Sequence, residues 1–248
     1  MMKKIALVLP QKTGGTHIER ILTEAGVGFC FLPSLTEDAG WIEKTRQERE
    51  VLGLLNPKHF SFSGFDSDKC TIDPAIAKEY TTVGLIRNPY TWINSWFFHN
   101  REDRQRRWET DDLKKMVLRF CSGYVPKRQE NTMVNACEDY PMHHIFSPDG
   151  AVACDYLIYN ENLNEGINKL LELHGSDFRV DSGEKTLVGN WSPERVLDLW
   201  TEDMKFHVRS CFSEFLDLFE YSFPVHTQVE YSLIDTKGLK LNKFERMR

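Results

Sequence analysis

A short apolar run that ends in a glycine turn and a helix constrains the fold of this chain most. Residues 5–10 are apolar up to a proline, and a polar turn with two glycines follows at 11–16. After the turn, apolar side chains recur at helical spacing: Ile18, Ile21, Leu22 and Ala25. A strand, a glycine turn and a helix N-terminus in this order predict an anion site, because open N–H groups and the helix dipole both favour negative charge there.

The residue types in the turn suit a phosphate but differ from a Walker A loop. Gly14 and Gly15 let the backbone approach a phosphate closely, and Lys12 adds a mobile positive charge. In a Walker A loop the lysine follows the glycines, and a Ser or Thr after it holds magnesium. Here Lys12 precedes both glycines, which disfavours phosphoryl transfer. An ordinary strand, turn and helix with a surface lysine is the alternative interpretation.

A second strand and helix carry another group of phosphate-binding side chains. Residues 82–86 predict a buried parallel strand, and Asn88-Pro89 is typical of a helix start. Arg87 then lies at the carboxyl end of a strand, where open α/β sheets bind ligands. Ser95 follows almost two turns into the helix, and both side chains donate to phosphate oxygens. A structural ion pair is the alternative role for Arg87.

Together the two segments resemble the superfamily of sulfotransferases that use 3′-phosphoadenosine 5′-phosphosulfate (PAPS). Its first signature is similar to residues 11–16, and its second, Arg-Asn-Pro with a serine eight positions after the arginine, is similar to residues 87–95. The resemblance implies that the first loop binds the 5′-phosphosulfate and that Arg87 and Ser95 bind the 3′-phosphate. The implied phosphosulfate-binding residues are Lys12, Thr13, Gly14, Gly15, Thr16 and His17. The resemblance also implies that the transfer reaction requires no metal.

The resemblance extends into the second half of the chain and implies a fold. Residues 155–163 resemble the late strand and Glu-Asn-Leu turn of these proteins, followed by a helix. The implied fold is α/β: a single domain with a central parallel sheet flanked by helices and a P-loop-like phosphosulfate-binding turn after the first strand. We assign this domain to residues 1–222, with a helical insert at 100–150 on the acceptor side. Residues 223–248 are expected to form a C-terminal tail.

The implied reaction is in-line transfer of a sulfuryl group from PAPS to a hydroxyl or amine acceptor. Lys12 is the expected stabiliser of charge on the leaving oxygen. Many family members place a histidine just past the third strand as general base, but Phe65 stands at that position here. Asp66 and His59 are therefore the candidate bases in this segment. His17 and His99 are further options.

Two other classes of function stay open at this point. One is a P-loop-type kinase or nucleotide-binding enzyme, which magnesium-dependent ATP binding would distinguish. The other is a catalytically silent protein that binds the bisphosphate nucleotide, because Phe65 replaces the expected histidine.

The composition of the chain limits the kinds of partner that we expect it to bind. The net charge of -6 over 248 residues disfavours a general nucleic-acid or anionic-membrane binder. We expect a small-molecule or glycan acceptor, no nucleic acid and no stable membrane insertion. No leader segment or long apolar run is apparent, which favours a cytoplasmic location. The six cysteines are widely spaced and are expected to be free thiols rather than a disulfide framework or zinc ligands.

Two apolar patterns outside the motifs predict core helices. Leu113, Met116, Val117 and Phe120 recur at helical spacing. An aromatic and aliphatic stripe between residues 206 and 219 has the same periodicity, and its members are Phe206, Val208, Phe212, Phe215, Leu216 and Phe219. We expect both patterns to face the hydrophobic core.

Overall fold

The computed structural model of the chain describes residues 4–10, 12–31, 80–99, 110–121, 145–146, 151–181, 183, 197–223 and 231–240. Within these residues, five strands form one sheet in the order β2-β1-β3-β4-β5. The strands are β1 (Lys4–Val8), β2 (Phe29–Phe31), β3 (Tyr80–Ile86), β4 (Tyr156–Tyr159) and β5 (Leu233–Asp235). Strand β1 pairs in parallel with β2 and β3, and β3 pairs in parallel with β4. The expected α/β fold is confirmed, and the sheet is open and mostly parallel, with β5 as the antiparallel strand.

One edge strand of the sheet comes from the segment that we expected to be a tail. Strand β5 pairs with β4 in the antiparallel direction, with Leu157 opposite Ile234. The N–H of Tyr159 extends this contact by donating to the carbonyl oxygen of Ser232 at 3.1 Å. Ser232 is fully buried. Residues 232–235 are therefore part of the sheet, and the reason is pairing with a strand more than seventy residues earlier, which a local pattern does not reveal.

Six described helices lie between the strands: one between β1 and β2, two between β3 and β4, and three between β4 and the antiparallel β5. They are α1 (Gly15–Glu24), α2 (Pro89–His99), α3 (Thr110–Cys121), α4 (Leu163–Leu173), α5 (Glu202–Cys211) and α6 (Ser213–Leu218). A 3₁₀ turn at Asn160–Asn162 joins β4 to α4. None of these described helices is both long and apolar enough to cross a membrane.

The two faces of the sheet bury different sets of helices. Because successive side chains of a strand point to opposite faces, Ile5 and Leu7 of β1 pack with the apolar faces of α1 and α4. Ala6 and Val8 pack on the other face with residues of α2, α3, α5 and α6. All four side chains are buried. The sheet is thus the middle layer of a three-layer arrangement, and the carboxyl ends of β1, β3 and β4 open at one edge.

The predicted start of the helix after β3 is confirmed. The side-chain Oδ1 of Asn88 accepts a hydrogen bond from the N–H of Tyr90 at 3.0 Å, and Pro89 is the first helical residue. This cap satisfies one of the N–H groups that a helix start leaves open. It also fixes where the chain turns after Arg87.

The predicted core helices are largely confirmed, with one correction. Helix α3 buries Leu113, Val117 and Phe120, as the spacing indicates. The stripe further along is divided between α5 and α6, and its first aromatic residue, Phe206, is 67% exposed. The prediction was wrong for Phe206 because Met204 and Val208, four residues apart, form the buried face of α5. A residue midway between them lies on the opposite side of the helix.

Candidate anion-binding site

The turn between β1 and α1 has a backbone conformation that glycine favours. Gly14 has φ of 100° and Lys12 has φ of 63°, both in the left-handed region. Thr13 lies between them with its side chain buried, and its hydroxyl donates to the carbonyl oxygen of Pro10 at 2.6 Å. From the other side, Asn160 Nδ2 donates to the carbonyl oxygen of Thr13 at 2.9 Å. These contacts hold the turn against the end of β4.

Gly14 is the residue in this turn that a side chain would disturb. A Cβ atom at this position would lie 2.6 Å from Leu163 Cδ2 and 2.9 Å from Asn160 Nδ2. Both distances are shorter than an ordinary van der Waals contact. The left-handed backbone adds a second reason, because L-residues with a Cβ rarely adopt it. A side chain at this position would therefore strain the turn.

The N-terminus of α1 has open backbone donors. The helix starts at Gly15 with no capping side chain and no acidic residue in its first turn. The N–H groups of His17 and Ile18 donate back to the carbonyl oxygen of Gly14, at 3.0 and 3.3 Å. Within the described part of the chain, the N–H groups of residues 13–16 donate to no protein acceptor. Open donors at a helix N-terminus favour a bound anion.

Arg87 joins this turn to the end of β3. Its Nη1 donates to the carbonyl oxygen of Lys12 at 2.7 Å, and its Nε donates to Thr91 Oγ1 at 3.0 Å. Nη2 makes no hydrogen bond to any described residue. The guanidinium is therefore held by two of its nitrogens, and the third is available to a ligand.

Among the residues that the structure describes, no carboxylate is in direct contact with the two cations of the site. Neither Lys12 nor Arg87 forms an ion pair with a carboxylate of the described residues. Lys12 Nζ lies 5.9 Å from the centre of the Trp96 ring, at the outer limit of a cation–π contact. Burial, and secondly the charge of Arg87, lower the pKa of Lys12 to about 8. An anion between them would offset this repulsion and raise the Lys12 pKa again.

Glu161 supports the site from behind without pairing directly with Arg87. Burial lowers the pKa of Arg87, and the negative charge of Glu161 opposes that effect. Arginine nevertheless stays charged at neutral pH. Glu161 Oε1 accepts from the Asn88 N–H at 2.9 Å and from Thr91 Oγ1 at 3.2 Å, and Oε2 accepts from the Tyr221 hydroxyl at 3.1 Å. Two of these bonds fix the Asn88 backbone and the Thr91 hydroxyl, which lie next to Arg87. The third, from Tyr221, fixes the Glu161 carboxylate itself.

Ser95 lies one helical turn beyond Thr91 on α2. Residues four apart in a helix share a face, so Ser95 is on the side of α2 that carries the Arg87 contact. Its side chain is half-buried, and the ring centre of the next residue, Trp96, lies 5.9 Å from Lys12 Nζ. The predicted phosphate-binding residues of the two segments therefore lie around one edge of the sheet.

His17 is buried in the first turn of α1 and contacts α4. Its Nε2 lies 2.6 Å from Asn164 Oδ1. Asn164 Nδ2 in turn donates to the carbonyl oxygen of Asp181 at 2.7 Å, which orients the amide with Oδ1 toward the histidine. Nε2 must then carry the hydrogen, because an amide oxygen only accepts. While this bond is in place, Nε2 of His17 is not available as a base.

The sequence analysis did not identify several residues of this site, and some residues that it did propose lie outside the part of the chain that the structure describes. Thr91 follows Arg87 by four residues on a predicted helix, which is a usable signal. Asn160 and Glu161 lie sixty or more residues from their partners in the site, and no local pattern links them. The candidate bases His59 and Asp66 lie outside the described residues, and so does the side chain of His99.

No protein-family model matches the chain, and a search of curated proteins gave no match. The site therefore has to be interpreted from its own chemistry. Open helix N–H groups and two adjacent cations without a described counter-ion define a candidate site for a multiply charged anion such as a phosphorylated nucleotide.

Proposed function

We propose that this chain is a PAPS-dependent sulfotransferase that moves a sulfuryl group to a hydroxyl or amine acceptor. The observation that carries the proposal is the 2.7 Å hydrogen bond from Arg87 Nη1 to the carbonyl oxygen of Lys12. It joins the two segments whose motifs resemble the phosphosulfate and 3′-phosphate sites of that superfamily. A donor with a phosphosulfate and a separate phosphate needs two anion sites close together. The contact between Arg87 and Lys12 supports the proposal because it joins the two segments that would supply those sites.

In this proposal each part of the site binds one anionic group. The N–H groups of residues 13–16 and the ammonium of Lys12 bind the phosphosulfate, as a P-loop-like turn would. Arg87 Nη2 and the hydroxyl of Ser95 bind the 3′-phosphate. Thr91 and Glu161 hold the guanidinium in place from behind. His17, the last of the residues that the motif implies for this group, lies next to these donors, but its N–H donates to the carbonyl oxygen of Gly14 at 3.0 Å and its ring contacts α4.

The proposed reaction is an in-line displacement at sulfur. PAPS supplies a sulfur with a phosphate leaving group, and the acceptor oxygen or nitrogen forms the new bond as the bond to the bridging oxygen breaks. Negative charge then grows on that bridging oxygen. Lys12 is already positioned in a partly desolvated turn, where its charge stabilises this oxygen more than it would in water. Because the leaving phosphate is stable as an anion, no metal is required.

The general base is proposed to come from the segment at residues 59–66. Asp66 ranks ahead of His59, because it follows the expected strand end beside the Lys12 turn. His17 and His99 rank lower, and the bond between His17 Nε2 and Asn164 supports that order. Comparing the pH–rate profiles of Asp66→Asn and His59→Ala will decide between the first two. If both variants keep the wild-type turnover and acidic limb, the base lies elsewhere.

For the acceptor and the cellular location we propose only a general class. We propose a small-molecule or glycan acceptor bound on the side of the 100–150 insert, in a cytoplasmic protein that uses neither nucleic acid nor metal. Most of that insert lies outside the described residues, so the acceptor class rests on the sequence.

Two measurements test the proposal. Calorimetry with adenosine 3′,5′-bisphosphate in the presence of a chelator should detect binding, and a parallel titration with ATP should not depend on magnesium. Radiolabelled PAPS with a panel of sugars, phenols and amines should then give transfer to at least one class. Binding without transfer would favour the silent nucleotide-binding protein. Magnesium-dependent ATP binding would favour the kinase, and folded protein that binds neither nucleotide would overturn the assignment.

A further inference from the structure

The residues just after α6 return to the edge of the sheet where Arg87 lies. Glu220 has a left-handed backbone, with φ of 55°, so the chain turns sharply after the helix. The N–H of Tyr221 then donates to the carbonyl oxygen of Leu216 at 2.8 Å, which ties the turn back to α6. The Tyr221 side chain is 4% exposed, and its ring centre lies 5.5 Å from that of Tyr159 on β4. The backbone and the ring together fix the direction in which the Tyr221 hydroxyl points.

The Tyr221 hydroxyl starts a series of hydrogen bonds that leads to Arg87. It donates to Glu161 Oε2 at 3.1 Å. The other carboxylate oxygen, Oε1, lies 3.2 Å from Thr91 Oγ1, and the same Oγ1 accepts from Arg87 Nε at 3.0 Å. The carboxylate and the guanidinium thus have Thr91 as a common neighbour, yet among the described residues they form no ion pair with each other. The bond from Tyr221 therefore holds the carboxylate behind Thr91 and not against the guanidinium.

Ser222, the next residue, makes a second contact with the same region. Asn88 Nδ2 donates to the carbonyl oxygen of Ser222 at 3.0 Å, although 134 positions separate the two residues. The other end of the same amide, Asn88 Oδ1, caps α2, and the side chain is 2% exposed. Residues 221 and 222 therefore contact both the Asn88 side chain, directly after Arg87 in the chain, and the Glu161 carboxylate behind it.

We propose that Tyr221 is a positioning residue for the 3′-phosphate site: its hydroxyl keeps the Glu161 carboxylate from pairing with Arg87, so that Arg87 Nη2 stays available to the ligand. This inference rests on the proposed function, because that function assigns the 3′-phosphate to Arg87. A partly buried carboxylate oxygen that loses its donor gains free energy by finding another one. Guanidinium and carboxylate groups form strong pairs with two parallel hydrogen bonds. Such a pair would occupy the nitrogen that the phosphate needs.

The test compares two nucleotides that differ only in the 3′-phosphate. Calorimetry measures the affinities of adenosine 3′,5′-bisphosphate and adenosine 5′-phosphate for the full-length wild type and for Tyr221→Phe. The bisphosphate should bind about 5- to 20-fold more weakly to the variant, within the range of coupling between residues of one hydrogen-bond network. The affinity for the monophosphate should stay the same.

Tyr90→Phe is the matched control. It also removes the hydroxyl of a buried tyrosine, but this hydroxyl donates to the carbonyl oxygen of Lys205 at 3.3 Å and has no bond to Glu161. Tyr90→Phe should bind both nucleotides as the wild type does. Urea unfolding shows that each variant is folded and compares the two losses of stability.

A second substitution separates positioning from packing. Glu161→Gln removes the charge that would pair with Arg87, while its amide oxygen can still accept from the Asn88 N–H. Added to Tyr221→Phe, it should therefore restore most of the affinity for the bisphosphate, which a packing defect would not allow. Glu161→Gln alone should bind the bisphosphate at least as tightly as the wild type does. Weaker binding by this single variant would overturn the inference even if Tyr221→Phe did not fold.

The other outcomes distinguish this inference from the proposed function. An unchanged bisphosphate affinity in folded Tyr221→Phe, an equal loss for both nucleotides, or a loss that Glu161→Gln does not restore would each overturn the role of Tyr221 and leave the proposed function intact. A folded wild-type protein that binds neither nucleotide would overturn both.

Discussion

Arg87 donates a hydrogen bond from Nη1 to the carbonyl oxygen of Lys12, and 75 positions in the chain separate the two residues. The bond places a guanidinium beside the turn at the start of α1, where the second cation, Lys12, already has a lowered pKa. Neither cation is paired with a carboxylate among the described residues. The two positive charges repel each other, which contributes to the lowered pKa of Lys12, and a bound anion would offset this repulsion.

Arg87 is expected to distinguish nucleotides by their 3′-phosphate. Arg87→Ala should weaken binding of adenosine 3′,5′-bisphosphate about 10- to 100-fold, from about 1.5–3 kcal/mol for a hydrogen bond to a charged group. Adenosine 5′-phosphosulfate lacks the 3′-phosphate, and its affinity should change much less. Calorimetry with both ligands gives the comparison, with Arg87→Lys as the control that keeps the charge but not the fork geometry. Equal losses for the two nucleotides would assign Arg87 a purely structural role.

Lys12 is expected to act mainly on the transition state. Lys12→Ala should lower kcat by about 10²–10³, the effect of removing one preorganised stabiliser, with a smaller change in KM for PAPS. Lys12→Arg keeps a positive charge at the position and should retain more of the turnover. The measurement is steady-state kinetics with an acceptor found in the transfer assay. A variant that changes only KM would mean that Lys12 contributes to donor binding alone.

The pKa of Lys12 gives a prediction that needs no acceptor. Only the neutral amine reacts with an acylating reagent, so the labelling rate of Lys12 should rise with pH around a midpoint of about 8. Bound adenosine 3′,5′-bisphosphate should move this midpoint upward, because a nearby anion stabilises the protonated form. Mass spectrometry of the peptide that contains Lys12 follows the reaction. A midpoint that the nucleotide leaves unchanged would place the anion away from Lys12.

Thr91 is expected to position Arg87 through its hydroxyl. Thr91→Val removes the acceptor of Arg87 Nε while keeping a similar shape. It also removes the one hydroxyl hydrogen, which the carbonyl oxygen of Asn88 at 2.9 Å and Glu161 Oε1 at 3.2 Å share as acceptors. We expect a loss of about 1–3 kcal/mol in stability from a buried donor left unpaired. The affinity for adenosine 3′,5′-bisphosphate should fall as well, since the guanidinium loses one of its two contacts.

Thr91→Ser is the matched control, because it keeps the hydroxyl. Urea unfolding gives the stability of both variants, and calorimetry gives the affinity. If Thr91→Val loses stability but binds the nucleotide as tightly as the wild type does, Thr91 supports the fold and not the guanidinium.

The turn itself is expected to tolerate a side chain at one glycine better than at the other. Gly14→Ala should cost about 1–3 kcal/mol, the usual range for a strained backbone position, and should also weaken anion binding. Gly15→Ala should cost less, because the nearest contact of its Cβ would be Leu9 Cδ1 at 3.3 Å and its φ is not positive. Urea unfolding of the two variants measures the difference. Equal costs would contradict the left-handed conformation at Gly14.

The sequence by itself determined the local elements of this protein. The apolar run at 5–9 predicts β1, because strand residues that are buried on both faces are apolar without interruption. Asn88 and Pro89 predict the start of α2, because capping depends on residues within one turn of the helix end. Both predictions are confirmed. The spacing of Leu113, Val117 and Phe120 predicts the buried face of α3 for the same reason: neighbours along the chain decide it.

Only the tertiary structure decided which of these elements meet. It joined β5 to the sheet and placed Phe206 on the exposed side of α5, and neither follows from the apolar spacing alone. It also placed Glu161 behind the Arg87 contact, with hydrogen bonds to three groups that are distant in sequence. Helical spacing and caps depend on residues a few positions apart, whereas these contacts depend on how the sheet orders its strands and how helices pack across it.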